Sequence, residues 1–207
     1  MMKLELFFDC SSPWSYLAFE QAPSVAAELG LDLVYRPVLV GGVFNAVNRS
    51  VYDMRENVPS KMAWVAKDLS DWSRATGLAI RFPPPVFPVN SAKAMRACLL
   101  LEERGALVAF ARAACEAYWA RGEDISQEAV LAALCRSIGV DPDTVLPQLG
   151  SELWRIRLRA NVEELIGRGG FGVPTFFLER DDIYFGVDRL PMIREAVGRA
   201  RSSGDIR

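Results

Sequence analysis

The apolar positions change their period twice along the chain. Leu4-Glu5-Leu6-Phe7-Phe8 is a short, nearly continuous apolar run with a turn-like segment behind it, which on length alone fits a buried strand. From Pro13 the spacing becomes helical, through Trp14, Leu17, Ala18, Ala22, Val25 and Leu29, until Gly30 stops it. Ser12 stands where an N-cap belongs and Pro13 at the first helical position, where its missing N–H costs nothing. Residues 31–36 alternate like a second strand and run into Pro37. The first forty residues therefore read β-α-β, a crossover that lays two parallel strands side by side.

The middle of the chain reads as helix almost throughout. Amphipathic spacing predicts helices over 61–76, 91–104, 107–121, 126–138 and 152–166, as in Leu107, Phe110, Ala111, Ala114 and Tyr118. Breaker residues separate them: Pro83-Pro84-Pro85, Gly105, Gly122, Gly139 and Asp141-Pro142. Strand signals return at 175–179 and 182–185, which flank Arg180-Asp181 as a hairpin, and a last helix is predicted over 190–201. The tail 202–207 is expected to fray. The pattern β-α-β, helical block, β-β-α predicts one α/β sheet, residues 1–41 and 168–207, interrupted by an all-helical insertion over 42–167.

Composition narrows the function classes. The 207 residues are 51% hydrophobic with a net charge of −2, enough apolar content for a sizeable core. No Lys/Arg-rich stripe of the kind nucleic acid demands is present. No apolar stretch approaches the roughly 20 residues needed to span a bilayer, and the N-terminal residues lack the pattern of a signal peptide. A cytoplasmic protein with no nucleic-acid or membrane partner is expected. The chain has no histidine, which removes Ser-His and Cys-His activation and histidine metal ligation. Its four cysteines, Cys10, Cys98, Cys115 and Cys135, form no CxxC, so neither a zinc site nor a dithiol pair is expected. The bland assignment for the last three is as small buried hydrophobes, and for Cys10 as a buried strand-end residue.

Three stretches carry candidate chemistry: the turn at Ser12, the glycine-rich approach Gly169-Gly170-Phe171-Gly172-Val173-Pro174-Thr175, and Phe185-Gly186-Val187-Asp188-Arg189. With Phe7-Phe8-Asp9, Ser12-Pro13-Trp14-Ser15-Tyr16-Leu17-Ala18, the run from Pro37 to Phe44, Asp68-Leu69-Ser70-Asp71-Trp72 and Phe87-Pro88-Val89-Asn90-Ser91, they resemble a known family across essentially the whole chain. That family is the 2-hydroxychromene-2-carboxylate isomerases and kappa-class glutathione transferases, of DsbA-like thioredoxin fold. Each motif is weak alone; their order and spacing are specific.

The resemblance implies a thioredoxin-like α/β fold with a helical insertion, and glutathione as cofactor. A free thiol has a pKa of about 8.5, and a helix N-terminus with a serine O–H aimed at the sulfur favours the thiolate. Ser12 is then the catalytic hydrogen-bond donor to a borrowed sulfur, rather than a nucleophile or an N-cap alone. The family further implies a cis Pro174 with the Val173 backbone paired to the tripeptide, and Asp188, with Arg189, receiving the γ-glutamyl ammonium. Asn48 and Lys61 fall where relatives reach toward glutathione. The family's Gly-Asn-x-Pro-Pro run is here Val47-Asn48-Arg49-Ser50-Val51. Trp14 and Arg49 are candidates for the substrate pocket; Arg81 is a softer one. The implied activity is a glutathione-dependent isomerase acting on an aromatic-degradation intermediate, by reversible thiolate addition. The alternatives are a kappa-like transferase that releases a conjugate, or a non-redox binding module on the same fold. Relatives imply a homodimer and a small aromatic substrate.

Overall fold

Leu4, Leu6, Phe7 and Phe8 are all fully buried, because the strand that carries them lies inside the sheet with both faces covered. In the computed structural model, which describes residues 1–203, β1 (Lys3–Phe8) pairs in parallel with β2 (Asp32–Pro37), Leu4 opposite Leu33. On its other side it runs antiparallel to β3 (Thr175–Leu178), Leu6 opposite Phe176. β3 continues into β4 (Asp182–Phe185), so the sheet order is β2-β1-β3-β4. A strand covered on both faces needs no polar alternation, which is why β1 reads as an apolar run.

Between β1 and β2 runs α1 (Pro13–Glu28), entered through Ser12 as N-cap and Pro13 at its start. Gly30, at φ 57°, turns the chain out of it into β2. The helical block comprises α2 (Val40–Val47), α3 (Ser50–Asn57), α4 (Pro59–Thr76), α5 (Ala92–Glu102), α6 (Leu107–Trp119), α7 (Glu128–Ser137) and α8 (Glu152–Gly167). After the hairpin a 3-10 turn, Val187–Arg189, leads into α9 (Leu190–Ser203). Contrary to the expected fraying, Ser202 and Ser203 belong to this helix, the Ser202 hydroxyl donating to the Gly198 carbonyl at 2.9 Å. The rest of that expected tail lies outside the described residues.

Two helices, α2 and α3, have no counterpart in the sequence prediction. The two glycines of α2 each cost about 1 kcal/mol relative to alanine in a helix, and Leu39 gives it no side-chain cap. A residue far back in the chain does so instead: the Asp9 carboxylate accepts from the Val40 N–H at 2.8 Å. Gly42 faces Val162 of α8, at a distance where a Cβ would make an ordinary contact 3.6 Å from that side chain. Tertiary contacts, not local propensity, make this helix.

One face of β1 (Leu4, Leu6, Phe8) packs into a core shared with α1, α5 and α6 through Phe19, Met95, Phe110 and Trp119. The other face puts Phe7 with Val38, Val43, Val162 and Phe177 beneath α2 and α8. Sheet and helical block are thus joined by continuous apolar packing on both sides of the central strand. Among the described residues no helix is long and apolar enough to cross a membrane.

Candidate active site

The site grows from the turn that ends β1. Asp9 is fully buried; one of its oxygens accepts from the Ser11 N–H at 2.9 Å and the other from the Val40 N–H. Burial pushes its carboxyl up to about 6, against the opposing pull of the N–H groups of Ser11 and Val40 and the Ser91 hydroxyl. The turn is fixed again from outside, the buried Trp119 indole N–H donating to the Cys10 carbonyl at 2.9 Å. Ser12 is thereby held at the mouth of α1.

Ser12 is 7% exposed. It accepts from the Ser15 N–H at 3.2 Å and donates to the Val173 carbonyl at 3.5 Å, a long and therefore weak bond. Pro13 has no N–H, and among the described residues nothing accepts from the Trp14 N–H. The start of α1 thus offers one hydroxyl on a loose bond and one free amide, with the helix dipole behind them.

Facing this turn, the Val173–Pro174 peptide is cis, as are Phe82–Pro83 and Phe87–Pro88. The Val173 N–H meets no acceptor among the described residues. The hydroxyl of Thr175 donates to the Gly172 carbonyl at 2.8 Å, and the Gly186 N–H donates to the Pro174 carbonyl at 3.0 Å. These bonds tie the strand opening to the third stretch and leave the Val173 amide pointing at no protein group.

Two clefts meet here, sharing Trp14, Met54, Val65, Val173 and Phe185 as their common border. The first is apolar; Ser12 and Asn48 lie in it among Phe44, Val51, Phe82 and Phe87. The second is charged and gathers Lys61, Asp68, Asp188 and Arg189 beside Val173 and Pro174. Trp14 divides them, its indole N–H donating to Asp68 at 3.3 Å. Sequence reasoning did not single out Asp68 as a site residue, although Asp68 stands one residue before an apolar Leu69 that anchors α4 in the core.

The candidates named from the sequence fall into three groups. Ser12, Trp14, Val173, Pro174, Lys61, Asp188 and Arg189 border the paired clefts. Asp188 is not an N-cap of α9; it sits inside the 3-10 turn and pairs with Arg189 at 3.0 Å. Gly186 is required there by its φ of 108°, and a Cβ would also push on the Asp188 carboxylate, 2.4 Å away. Asn48 borders the apolar cleft and braces it, donating to the Phe171 carbonyl at 3.1 Å and accepting from Ser50 at 2.9 Å. Arg49 is exposed at the start of α3 and lines neither cleft, and Arg81 is exposed as well.

The arginine that does enter the apolar cleft is Arg55, on α3, which sequence reasoning passed over. Cys10 points the other way. Its thiol donates to the Ala111 carbonyl at 3.8 Å and lies beside Cys98 and Cys115, all three fully buried in the core. Burial holds the Cys98 thiol well above the ordinary thiol range.

Comparison with known proteins bears on the fold and the family. The family model described as the DSBA-like thioredoxin domain matches residues 3–198. The chain belongs to the DsbA-like thioredoxin family. Within it, the chain is 28% identical to the 2-hydroxychromene-2-carboxylate isomerase of Pseudomonas putida, over 99% of each chain. It is 25% identical to glutathione S-transferase kappa 1 of Rattus norvegicus, over 94% of this chain and 90% of that one. A solved structure of selenomethionine 2-hydroxychromene-2-carboxylate isomerase superposes with a TM-score of 0.83 at 26% identity, covering both chains completely. The DsbA-like fold and the resemblance to the isomerase and kappa-transferase branch are therefore both shown, and those relatives are enzymes.

Proposed function

We propose that the chain is a glutathione-dependent isomerase of an aromatic carboxylic acid, acting as 2-hydroxychromene-2-carboxylate isomerase does. The observation that carries this reading is the loose bond of the Ser12 hydroxyl, in the apolar cleft, to the Val173 carbonyl, at the border with a charged cleft. Together Ser12 and Val173 fit a thiol-bearing tripeptide. Val173 offers a backbone N–H that no protein group takes, as an added strand would need. Lys61 and Arg189 suit the two carboxylates of glutathione, and Asp188 suits its ammonium.

When bound, glutathione would supply a thiolate able to add reversibly to a conjugated carbon, the displaced π pair passing to the conjugated carbonyl and returning when the thiol leaves, with the intervening single bond free to rotate. The chain's own part is electrostatic. Ser12 releases its 3.5 Å bond to Val173 and donates to the sulfur, and the Trp14 N–H adds the positive end of α1. Each unit by which they lower the thiol pKa corresponds to about 1.4 kcal/mol. Phe44, Val51, Phe82 and Phe87 exclude water and receive the aromatic ring. The chain has no histidine, and among the described residues the Ser12 hydroxyl bonds only to the Val173 carbonyl and the Ser15 N–H, neither of them a base that would make it a nucleophile.

The relatives named glutathione S-transferase kappa support a second reading, in which a thioether product is released. The test is conversion of 2-hydroxychromene-2-carboxylate to its benzylidenepyruvate isomer with and without glutathione. A glutathione-dependent rate with unchanged product mass is expected. A product heavier by one glutathione would establish the transferase instead, and equal rates with and without the thiol would end both readings.

A further inference from the structure

Among the described residues Arg55 is the one arginine bordering the apolar cleft, and none of them answers its charge there. Its guanidinium carbon lies 5.4 Å from the centre of the Phe87 ring and 5.8 Å from that of Phe44. Among the described residues it makes neither an ion pair nor a hydrogen bond. Other partly covered arginines do better: Arg168 reaches Glu5 at 2.9 Å and Arg112 reaches Glu20 at 2.7 Å. The phenols of Tyr52 and Tyr118 act electrostatically on Arg55, the latter donating to the Val86 carbonyl, and Glu56 shares the adjoining groove with Arg55 without forming an ion pair with it among the described residues.

Burial lowers the basicity of Arg55, yet a guanidinium stays charged at any physiological pH. Two aromatic faces keep it in place through its ring contacts and leave its N–H donors unused. A planar anion received in two parallel N–H···O bonds satisfies such a group best, and a carboxylate has that shape. The geometry points to Arg55 as the residue that binds the carboxylate of the aromatic substrate, directing its conjugated side chain toward Ser12. The assignment rests on reading the apolar cleft as the substrate pocket. It favours the substrate's carboxylate over those of glutathione, because Arg55 borders the apolar cleft and the groove beside it but not the charged side, where Lys61, Asp188 and Arg189 stand.

Binding of trans-cinnamate and of its neutral amide, measured by calorimetry, separates these possibilities without relying on turnover. The wild-type protein is expected to prefer the acid by about 10- to 100-fold, as a charge-assisted bidentate contact gives. Arg55→Met should bind both compounds like the amide, Arg55→Lys should recover part of the preference, and glutathione affinity should stay within twofold in each. No preference in the wild type, or a preference that survives in Arg55→Met, overturns the assignment. Weakened glutathione binding in both variants would assign Arg55 to the tripeptide instead, and so also overturns it. A clear acid preference in a protein whose isomerisation ignores glutathione would leave Arg55 in place and discard only the thiol reading.

Discussion

The Ser12 hydroxyl and the Val173 carbonyl stand 3.5 Å apart, across the gap between α1 and the opening of β3. The same hydroxyl caps α1 by accepting from the Ser15 N–H. One oxygen thus holds a helix end with its lone pair and keeps its proton on a bond it can readily exchange. That division gives Ser12 two separable contributions.

Ser12→Ala should show both. Loss of the cap should cost about 1 kcal/mol of stability, read from urea unfolding. Loss of the donor should raise the pKa of bound glutathione by at least one unit, followed by thiolate absorbance at 240 nm, and lower kcat/KM about 10- to 100-fold. Ser12→Thr keeps the hydroxyl and should retain most of both. An alanine variant with normal thiolate titration would reduce Ser12 to a cap.

Cys10 invites the opposite expectation, being two residues from Ser12. Its thiol faces Ala111, Cys98 and Cys115 rather than either cleft. Cys10→Ala should therefore leave glutathione-dependent turnover within about twofold, at a stability cost of about 1–2 kcal/mol for the emptied core volume. Iodoacetamide should leave the native protein unmodified at this position, as peptide mass mapping would reveal. Rapid native-state alkylation of Cys10 would contradict the buried orientation.

The parts of the fold with local signals were legible. β1 announces itself by a continuous apolar run, α1 by Ser12-Pro13 and Gly30, and the hairpin by paired β-rich segments around Arg180-Asp181. What sequence could not supply were contacts closed over long separations. α2 depends on Asp9 for its cap and on Val162 for its packing, and neither is near it in the chain. Arg55 and Arg49 sit in one polar stretch, and nothing local tells the one that turns into the cleft from the one that does not. The spacing of Val51, Met54 and Arg55 with Met62 and Val65 in α4 is the signal that could have favoured Arg55. Likewise Lys61 and Asp188 were reached through family resemblance, since no pattern in the chain links two residues that far apart.

Gly186 connects backbone geometry to the charged cleft. Its φ of 108° disfavours any side chain, and the added methyl would collide with the Asp188 carboxylate. Gly186→Ala should cost about 1–3 kcal/mol in stability and displace that carboxylate. Glutathione affinity should fall several-fold while kcat at saturating thiol changes little, because Ser12 and the apolar cleft are untouched. A variant with lowered kcat and unchanged affinity would count against Asp188 as a glutathione contact.

Asp9 should give stability a distinctive dependence on pH. Burial raises its carboxyl from 3.8 to about 6, so the folded state holds its proton more tightly than the unfolded chain does. The associated stabilisation is fully present below about pH 3.8 and is lost as pH rises through about 6; the shift corresponds to about 3 kcal/mol. Other carboxylates titrate over the same range, so the informative quantity is the difference between wild type and Asp9→Asn. The amide cannot ionise, and it places an NH2 where the second carboxyl oxygen, ionised or as the weaker acceptor O–H, takes an N–H from Ser11 or Val40. At pH 4 the variant should therefore be the less stable, by about 1–3 kcal/mol for the N–H left facing its amino group. Between pH 4 and pH 7 that gap should close or reverse as ionisation penalises only the wild type. Parallel stability curves across this interval would show that Asp9 does not titrate there, and that the Ser11 and Val40 amides outweigh its burial.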